Sequence, residues 1–248
     1  MRGKRRKNNK NTMKKIDEIY EILKQESCNN TEFFLKKGFS AETSERFKLT
    51  ELKNYIDIPE IKELYPEETK DFFTTYKYLV PAFDENGETD YLMIRRRDDY
   101  QKKEGIYIHK TLFIGETNRG LGKIYNPVRL IDNTDYVFIV ESWTDALSLE
   151  ELGIPAVAMN RVANCHTVLE PFVKKYSEII QRKAIIVMCD TDEAGTEANR
   201  DISGMLTENG FKCLVYSDLP ESIKDANEWL NADRNNMKRI LEKYLKGI

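Results

Sequence analysis

Cysteine and histidine are scarce in this 248-residue chain, with four cysteines (Cys28, Cys165, Cys189, Cys213) and two histidines. The cysteines lie far apart with no CxxC pair, and two histidines do little to complete a ligand set, which argues against a structural zinc. The thiols read as reduced, and Cys189 and Cys213, inside strand-like runs, as small core residues. No apolar run approaches the length of a membrane span, and the N-terminus lacks the apolar core of a signal peptide. A cytoplasmic protein with no membrane partner is expected. Neither sign of charge dominates: 39 Lys and Arg against 42 Asp and Glu leave a net charge of −3, which gives no global attraction to nucleic acid.

The distribution of charge says more than its sum. Between Met93 and Arg129 lie Arg95, Arg96, Arg97, Lys102, Lys103, Lys110, Arg119, Lys123 and Arg129, against only Asp98, Asp99, Glu104 and Glu116. The middle of the chain is basic, whereas carboxylates gather later. The first twelve residues are polar and basic with nothing to bury, so disorder is expected there. Such a tail adds weak, salt-sensitive attraction to a phosphate backbone, or only solubility, and Met13 is an alternative start.

Apolar residues at Met13, Ile16, Ile19, Tyr20 and Leu23 recur with helical spacing. Asn29 to Glu32 resembles a capping box, the short helix after it closes at Gly38, and Ser40 opens another through Phe47. One or two helices are expected between Pro59 and Tyr76. The runs 78–83 and 91–94 flank Asn86-Gly87, a strong hairpin signal, and 106–114 and 123–125 read as further short strands. From Asn133 the pattern alternates: strand 136–141, helix 143–152, strand 155–159, helix 166–181, strand 184–189, helix 193–208, strand 211–217, then an amphipathic helix over 225–246. Such alternation predicts a parallel sheet with helices on both faces. The expected organisation is a tail over 1–12, a smaller α+β subdomain over 13–132, an α/β domain over 133–218 and a helical extension over 219–248.

The chemistry gathers at strand ends. Glu141 closes the run Tyr136 to Val140, and Asp190 and Asp192 close Ala184 to Cys189. A third group, Asp225 to Glu228, follows the strand-like Cys213 to Tyr216. In an open α/β sheet, ligands bind outside the carboxyl ends of the strands, where loops diverge and helix N-termini offer N–H groups. Oxygen-only ligands favour Mg²⁺ or Mn²⁺ over zinc, and the implied class is phosphoryl or nucleotidyl transfer. Each acid alone reads first as a helix N-cap or first-turn residue, but capping does not account for their convergence. Asp145, one turn into its helix, reads as either a supporting acid or a solvated helix residue.

Val140-Glu-Ser-Trp-Thr-Asp-Ala-Leu-Ser-Leu149, Gly153-Ile-Pro-Ala-Val157 and Cys189-Asp-Thr-Asp-Glu-Ala-Gly195 together resemble the Toprim domain. Asp190 to Gly195 and the ending Lys224-Asp-Ala-Asn-Glu-Trp-Leu230 are similar to DnaG-type and phage or plasmid primases. Upstream, Phe34 to Phe47 resembles the opening helices of the primase polymerase core, Val80 to Gly87 its hairpin, and Lys110 to Thr117 a further segment. The resemblance covers about residues 30 to 230. It implies an α/β Toprim sheet flanked by helices and preceded by a smaller α+β subdomain.

The same resemblance implies a Mg²⁺- or Mn²⁺-dependent primase, of phage or mobile-element type, that makes short RNA primers from nucleoside triphosphates on a single-stranded DNA template. Carried over by residue, Glu141, Asp190 and Asp192 would be metal ligands, with Asp225 contributing to a second metal position. Arg95, Arg96, Arg97, Lys110 and Lys123 would line a basic cleft for template or nucleotide phosphates. Ser142 stands where Gly is frequent, although related phage-type primases also use Glu-Ser-Trp. Asn227 stands where a second Asp is common, and Asn160-Arg161 in place of Gly-Thr. His166 reads as an ordinary helix-start residue. With no cysteine cluster, the chain resembles the polymerase core without a zinc ribbon or helicase region. A replicative helicase or a separate template-recognition protein would then act alongside it. A Toprim nuclease and a non-catalytic DNA-binding replication accessory protein are the alternatives.

Overall fold

The computed structural model describes residues 16–28, 32–53, 61, 65, 75–99, 109–115 and 123–248. The basic tail, most of the expected helical region 59–76, and segments 100–108 and 116–122 lie outside them. The chain divides into two compact units, one of residues 1–35 with 44–121, the other of 36–43 with 122–248.

The first unit carries an antiparallel sheet of five strands in sequence order: β1 (Ser27–Cys28), β2 (Thr50–Leu52), β3 (Tyr76–Phe83), β4 (Thr89–Arg96) and β5 (Thr111–Gly115). The β3–β4 hairpin forms where Asn86-Gly87 predicts it. Gly87 takes a left-handed φ of +84°, and Asp84 Oδ1 accepts the N–H groups of Asn86 and Glu88 at 2.7 and 3.0 Å. One sheet face supplies Tyr76, Leu79, Leu92, Ile94, Leu112 and Ile114, which pack with Ile16, Ile19, Tyr20 and Leu23 of the helical residues 16–25. β1 and β2, only two and three residues long, are too short for alternation to announce them.

The second unit is built on a parallel sheet of order β7-β6-β8-β9, with β6 at Tyr136–Val140, β7 at Ala156–Ala158, β8 at Ala184–Val187 and β9 at Cys213–Val215. Both faces of β6 are buried, as an apolar run without alternation requires. Val137, Ile139, Val157, Ile185 and Val187 share one core with Leu169, Val173, Ala198, Ile202 and Leu206 of the helical segments after β7 and β8. The helix Trp143–Glu151 lies beside β6 and β7, and the helical segment Ala226–Leu245, which is kinked at the non-helical Asp233, packs on it. This double cover buries nearly every residue of Trp143–Glu151.

Two expected elements differ. The helix over 166–181 is a π-helical turn (Cys165–Leu169) followed by short helices at Glu170–Lys175 and Ser177–Ile180. Pro171 has no N–H to donate to the carbonyl four residues back, so a regular α-helical ladder cannot run through it. The strand expected at 123–125 is reduced to an antiparallel bridge between Tyr125 and Ala158 of β7. Asn126 turns left-handed (φ 60°) and Pro127 opens the helix Val128–Ile131, which ends the pairing. Among the described residues no helix is long and apolar enough to cross a membrane.

A buried ion pair locks this unit. Glu150, with a side chain 1% exposed, accepts Arg129 Nε at 2.7 Å and Nη2 at 2.8 Å, together with the Asn126 amide and the Ala156 N–H. Arg129 also donates to Asp132, which takes the ammonium of the buried Lys183 at 2.7 Å. Replacing Arg129 by Met strands the Glu150 charge and is expected to cost about 3–5 kcal/mol in urea unfolding.

Candidate functional site

β6 and β8 are hydrogen-bonded neighbours running in the same direction, so their carboxyl ends bring Glu141 and Asp190 together. The Asp190 N–H donates to Glu141 Oε1 at 3.1 Å. Asp192 is the N-cap of the helix Glu193–Glu208, its Oδ1 accepting the Gly195 N–H at 2.9 Å. Lys224 bridges the two aspartates, its Nζ 3.1 Å from Asp190 Oδ2 and 3.0 Å from Asp192 Oδ2. Asp225 caps the helix Ala226–Leu245 by accepting the Glu228 N–H at 2.7 Å.

The electrostatics follow from this crowding. Burial, then the nearby Asp190 charge, push the Glu141 carboxyl above the usual carboxylate range. Burial also raises Asp190, against the pull of Lys224. Asp192 is exposed and is lowered by the Gly195 N–H and by Lys224. The two carboxylates together in turn raise Lys224. Two acids driven upward at one sheet edge mark a place where added positive charge is stabilising.

The donor chemistry fits a hard divalent cation: oxygens only, on two adjacent strand ends. Among the described residues, no group of three or more His, Cys, Asp or Glu is arranged to hold a metal ion as it stands. The Lys224 ammonium is the cation between Asp190 and Asp192.

Gly195 is required by space. A Cβ there would lie 2.1 Å from the Asp190 carbonyl oxygen, because the helix start passes directly against the strand end. Asn199, one turn on, accepts the Cys189 N–H at 3.0 Å and ties the same helix to the strand.

Asp145 is buried, 4% exposed, which rules out the solvated reading. Its Oδ1 accepts the Asn227 N–H at 3.1 Å, and its Oδ2 accepts the Ser142 hydroxyl at 2.5 Å. Burial first, then the charge of Asp225, push it up to about 7. Ser142 is extended (φ −114°) and caps the helix Trp143–Glu151, so a side chain at that position is an asset rather than an obstruction. Asn227 donates its amide to the Lys37 carbonyl at 2.8 Å and to Ser148 Oγ at 2.9 Å. An aspartate carboxylate there could donate neither bond. Asn231 donates to the same carbonyl, and Glu151 accepts the Ser40 N–H and hydroxyl, so residues 36–43 are docked by polar bonds invisible in the local pattern. Asn160 adopts φ 56°, a left-handed turn, and His166 is exposed with Nδ1 3.0 Å from Glu170 Oε2.

The basic residues divide. Arg95 is 5% exposed, with Nη1 donating to the Lys110 carbonyl at 3.1 Å and Nη2 to Asp98 at 2.7 Å. Its guanidinium is thus buried and committed to these two partners within the first unit. Arg96 is partly buried, and Arg97 is paired with Asp99 at 2.8 and 2.5 Å. Lys110 is exposed in the first unit, while Lys123 is partly buried in the second.

Residues 138–230 match the Toprim-like family model. The chain is similar to the primase fragment of the bacteriophage T7 primase-helicase protein, at 22% identity and a TM-score of 0.56, over 82% of this chain and 72% of that one. It is also similar to the RNA polymerase domain of Mycobacterium tuberculosis primase DnaG, at 15% identity and a TM-score of 0.64, over 93% and 82%. For the zinc-binding and RNA polymerase domains of the Aquifex aeolicus primase the values are 14% and 0.64, over 95% of this chain and 60% of that one. No curated protein matches by sequence. A segment that matches the Toprim-like model thus lies in a chain with the fold of DnaG-type primase catalytic cores.

Two measurements test this geometry. Gly195→Ala should displace the Asp190 backbone and lower stability by about 1–3 kcal/mol in urea melts. For Asp145 the folded value lies above the unfolded one, so the folded state holds a proton that the unfolded chain releases. Wild-type stability should therefore fall as pH rises from about 4 to the raised value near 7, and level off beyond it. Asp145→Asn should flatten that slope in denaturation at successive pH values.

Proposed function

We propose that this chain is a DNA primase-type nucleotidyltransferase that joins ribonucleotides on single-stranded DNA during replication, in the cytoplasm. The observation that carries the reading is the meeting of Glu141 and Asp190 at the carboxyl ends of adjacent parallel strands, in a chain with the fold of primase catalytic cores. Glu141, Asp190 and Asp192 would hold Mg²⁺ or Mn²⁺, with Asp225 supporting a second position. Such an ion supplies charge neutralisation for the triphosphate and the leaving pyrophosphate.

The chain's own residues do the placing. The Asp190 N–H fixes the Glu141 carboxylate, and the Gly195 N–H fixes Asp192, so neither acid has to be ordered during the reaction. Asp145 and Ser142 hold the helix start behind Glu141. Lys110, Lys123, Arg96 and Arg97 would contact phosphates, giving affinity and register without sequence readout. Arg95 would act by anchoring the backbone at Lys110. A helicase, such as the one named with the phage T7 protein, or a separate template-recognition protein would direct the chain to its template.

The test supplies single-stranded DNA, nucleoside triphosphates and Mg²⁺ or Mn²⁺ and looks for short RNA products. Wild type should make them, and Glu141→Gln and Asp190→Asn should each lose about a hundredfold or more. Digestion of labelled DNA without nucleotides would assign a nuclease instead. DNA binding indifferent to Mg²⁺ and to Glu141→Gln, without product, would assign an accessory role.

A further inference from the structure

Lys224 is the residue at this site whose placement the reaction above does not use. Its ammonium bridges Asp190 Oδ2 and Asp192 Oδ2 at 3.1 and 3.0 Å. The backbone around it is fixed independently of that charge. The Thr191 N–H donates to the Lys224 carbonyl at 3.0 Å, and the Thr191 hydroxyl reaches the Ile223 carbonyl at 3.4 Å. The Lys224 N–H in turn donates to Glu228 Oε2 at 2.8 Å. The loop that carries the lysine is therefore tied to the residue between the two aspartates by bonds that do not involve the ammonium.

The side chain itself is 49% exposed, on a flexible four-carbon stem that can swing into water with those backbone bonds intact. Asp190 is only 16% exposed, so its charge is costly without a partner at this distance. An ammonium and a divalent cation would compete for the same aspartate oxygens, since both are drawn by the same pair of charges.

We propose that Lys224 is a built-in counter-cation for the Asp190–Asp192 pair, which holds the two carboxylates together until a divalent cation displaces it and so sets how tightly that cation binds. The inference rests on the reading of these acids as divalent-cation ligands. It makes the site self-neutralised in the absence of metal, and it makes metal affinity a property of a residue that is not a ligand.

The test measures Mn²⁺ binding to the whole chain by calorimetric titration and by thermal shift, in wild type, Lys224→Met and Lys224→Arg. Removing a half-screened positive charge from beside both carboxylates should tighten Mn²⁺ binding about tenfold in Lys224→Met. Lys224→Arg should bind no more tightly than wild type. Without metal, Lys224→Met should melt below wild type, and saturating Mn²⁺ should raise its melting temperature by more than it raises that of wild type. Lys224→Gln serves the same comparison should the methionine variant not fold.

Unchanged or weaker Mn²⁺ binding in folded Lys224→Met, or in Lys224→Gln where it takes that place, overturns the inference, as does an absence of binding in both wild type and that variant. Primer synthesis by wild type is scored separately. Tighter binding in the variant with no primers from wild type leaves the role of Lys224 standing and removes the primase reading. Primers from wild type with unchanged Mn²⁺ binding in the variant do the reverse.

Discussion

Mutual repulsion among carboxylates at one edge of the parallel sheet is the constraint around which the second unit is arranged. Glu141 and Asp190 share that edge because β6 and β8 are parallel neighbours, and Asp192 follows two residues later. Three of the acids accept a backbone N–H: Glu141 from Asp190, Asp192 from Gly195 and Asp225 from Glu228. Lys224 adds a full positive charge bonded to both Asp190 and Asp192. Remove these partners and the strand ends would carry charge in a half-buried place with nothing to offset it.

Behind the acids lies a supporting layer that makes the arrangement rigid. The helix Trp143–Glu151 is covered by the sheet on one side and by the helix Ala226–Leu245 on the other, so its polar residues must find partners inside the protein. Asp145 meets Ser142 and Asn227, Ser148 meets Asn227, and Glu150 meets Arg129. Asn227 is central because its backbone serves Asp145 while its amide holds the carbonyl of Lys37. The position where an aspartate would add ligand charge is instead committed to docking residues 36–43.

The first unit contributes a sheet whose basic residues are not interchangeable. Arg95, Arg96 and Arg97 are consecutive in sequence, yet Arg95 lies within β4 opposite Thr111 of β5, whereas β4 ends at Arg96 and leaves Arg97 beyond it. Arg95 turns inward to hold the Lys110 carbonyl and Asp98, whereas Arg97 lies toward solvent in a pair with Asp99. A run of three arginines thus holds three different positions: Arg95 buried, Arg96 partly buried and Arg97 paired with Asp99 nearer to solvent.

Several features are determined by the sequence itself. The apolar runs at 136–140 and 184–187, without alternation and ending in acids, can only be strands buried on both faces with charge at their carboxyl ends. Asp192 and Gly195 mark a helix start, and Asn86-Gly87 marks a turn, because each depends on bonds within a few residues. Other features depend on partners far along the chain. The burial of Asp145, the amide contacts of Asn227, the inward turn of Arg95 and the lysine between two aspartates join residues from 15 to 190 positions apart. The π-helical turn before Pro171 escapes a periodicity reading because an apolar pattern does not register a missing donor. Local chemistry wrote the acids and the strands that present them; tertiary packing decided which charges face one another, because only the folded chain brings their partners within bonding distance.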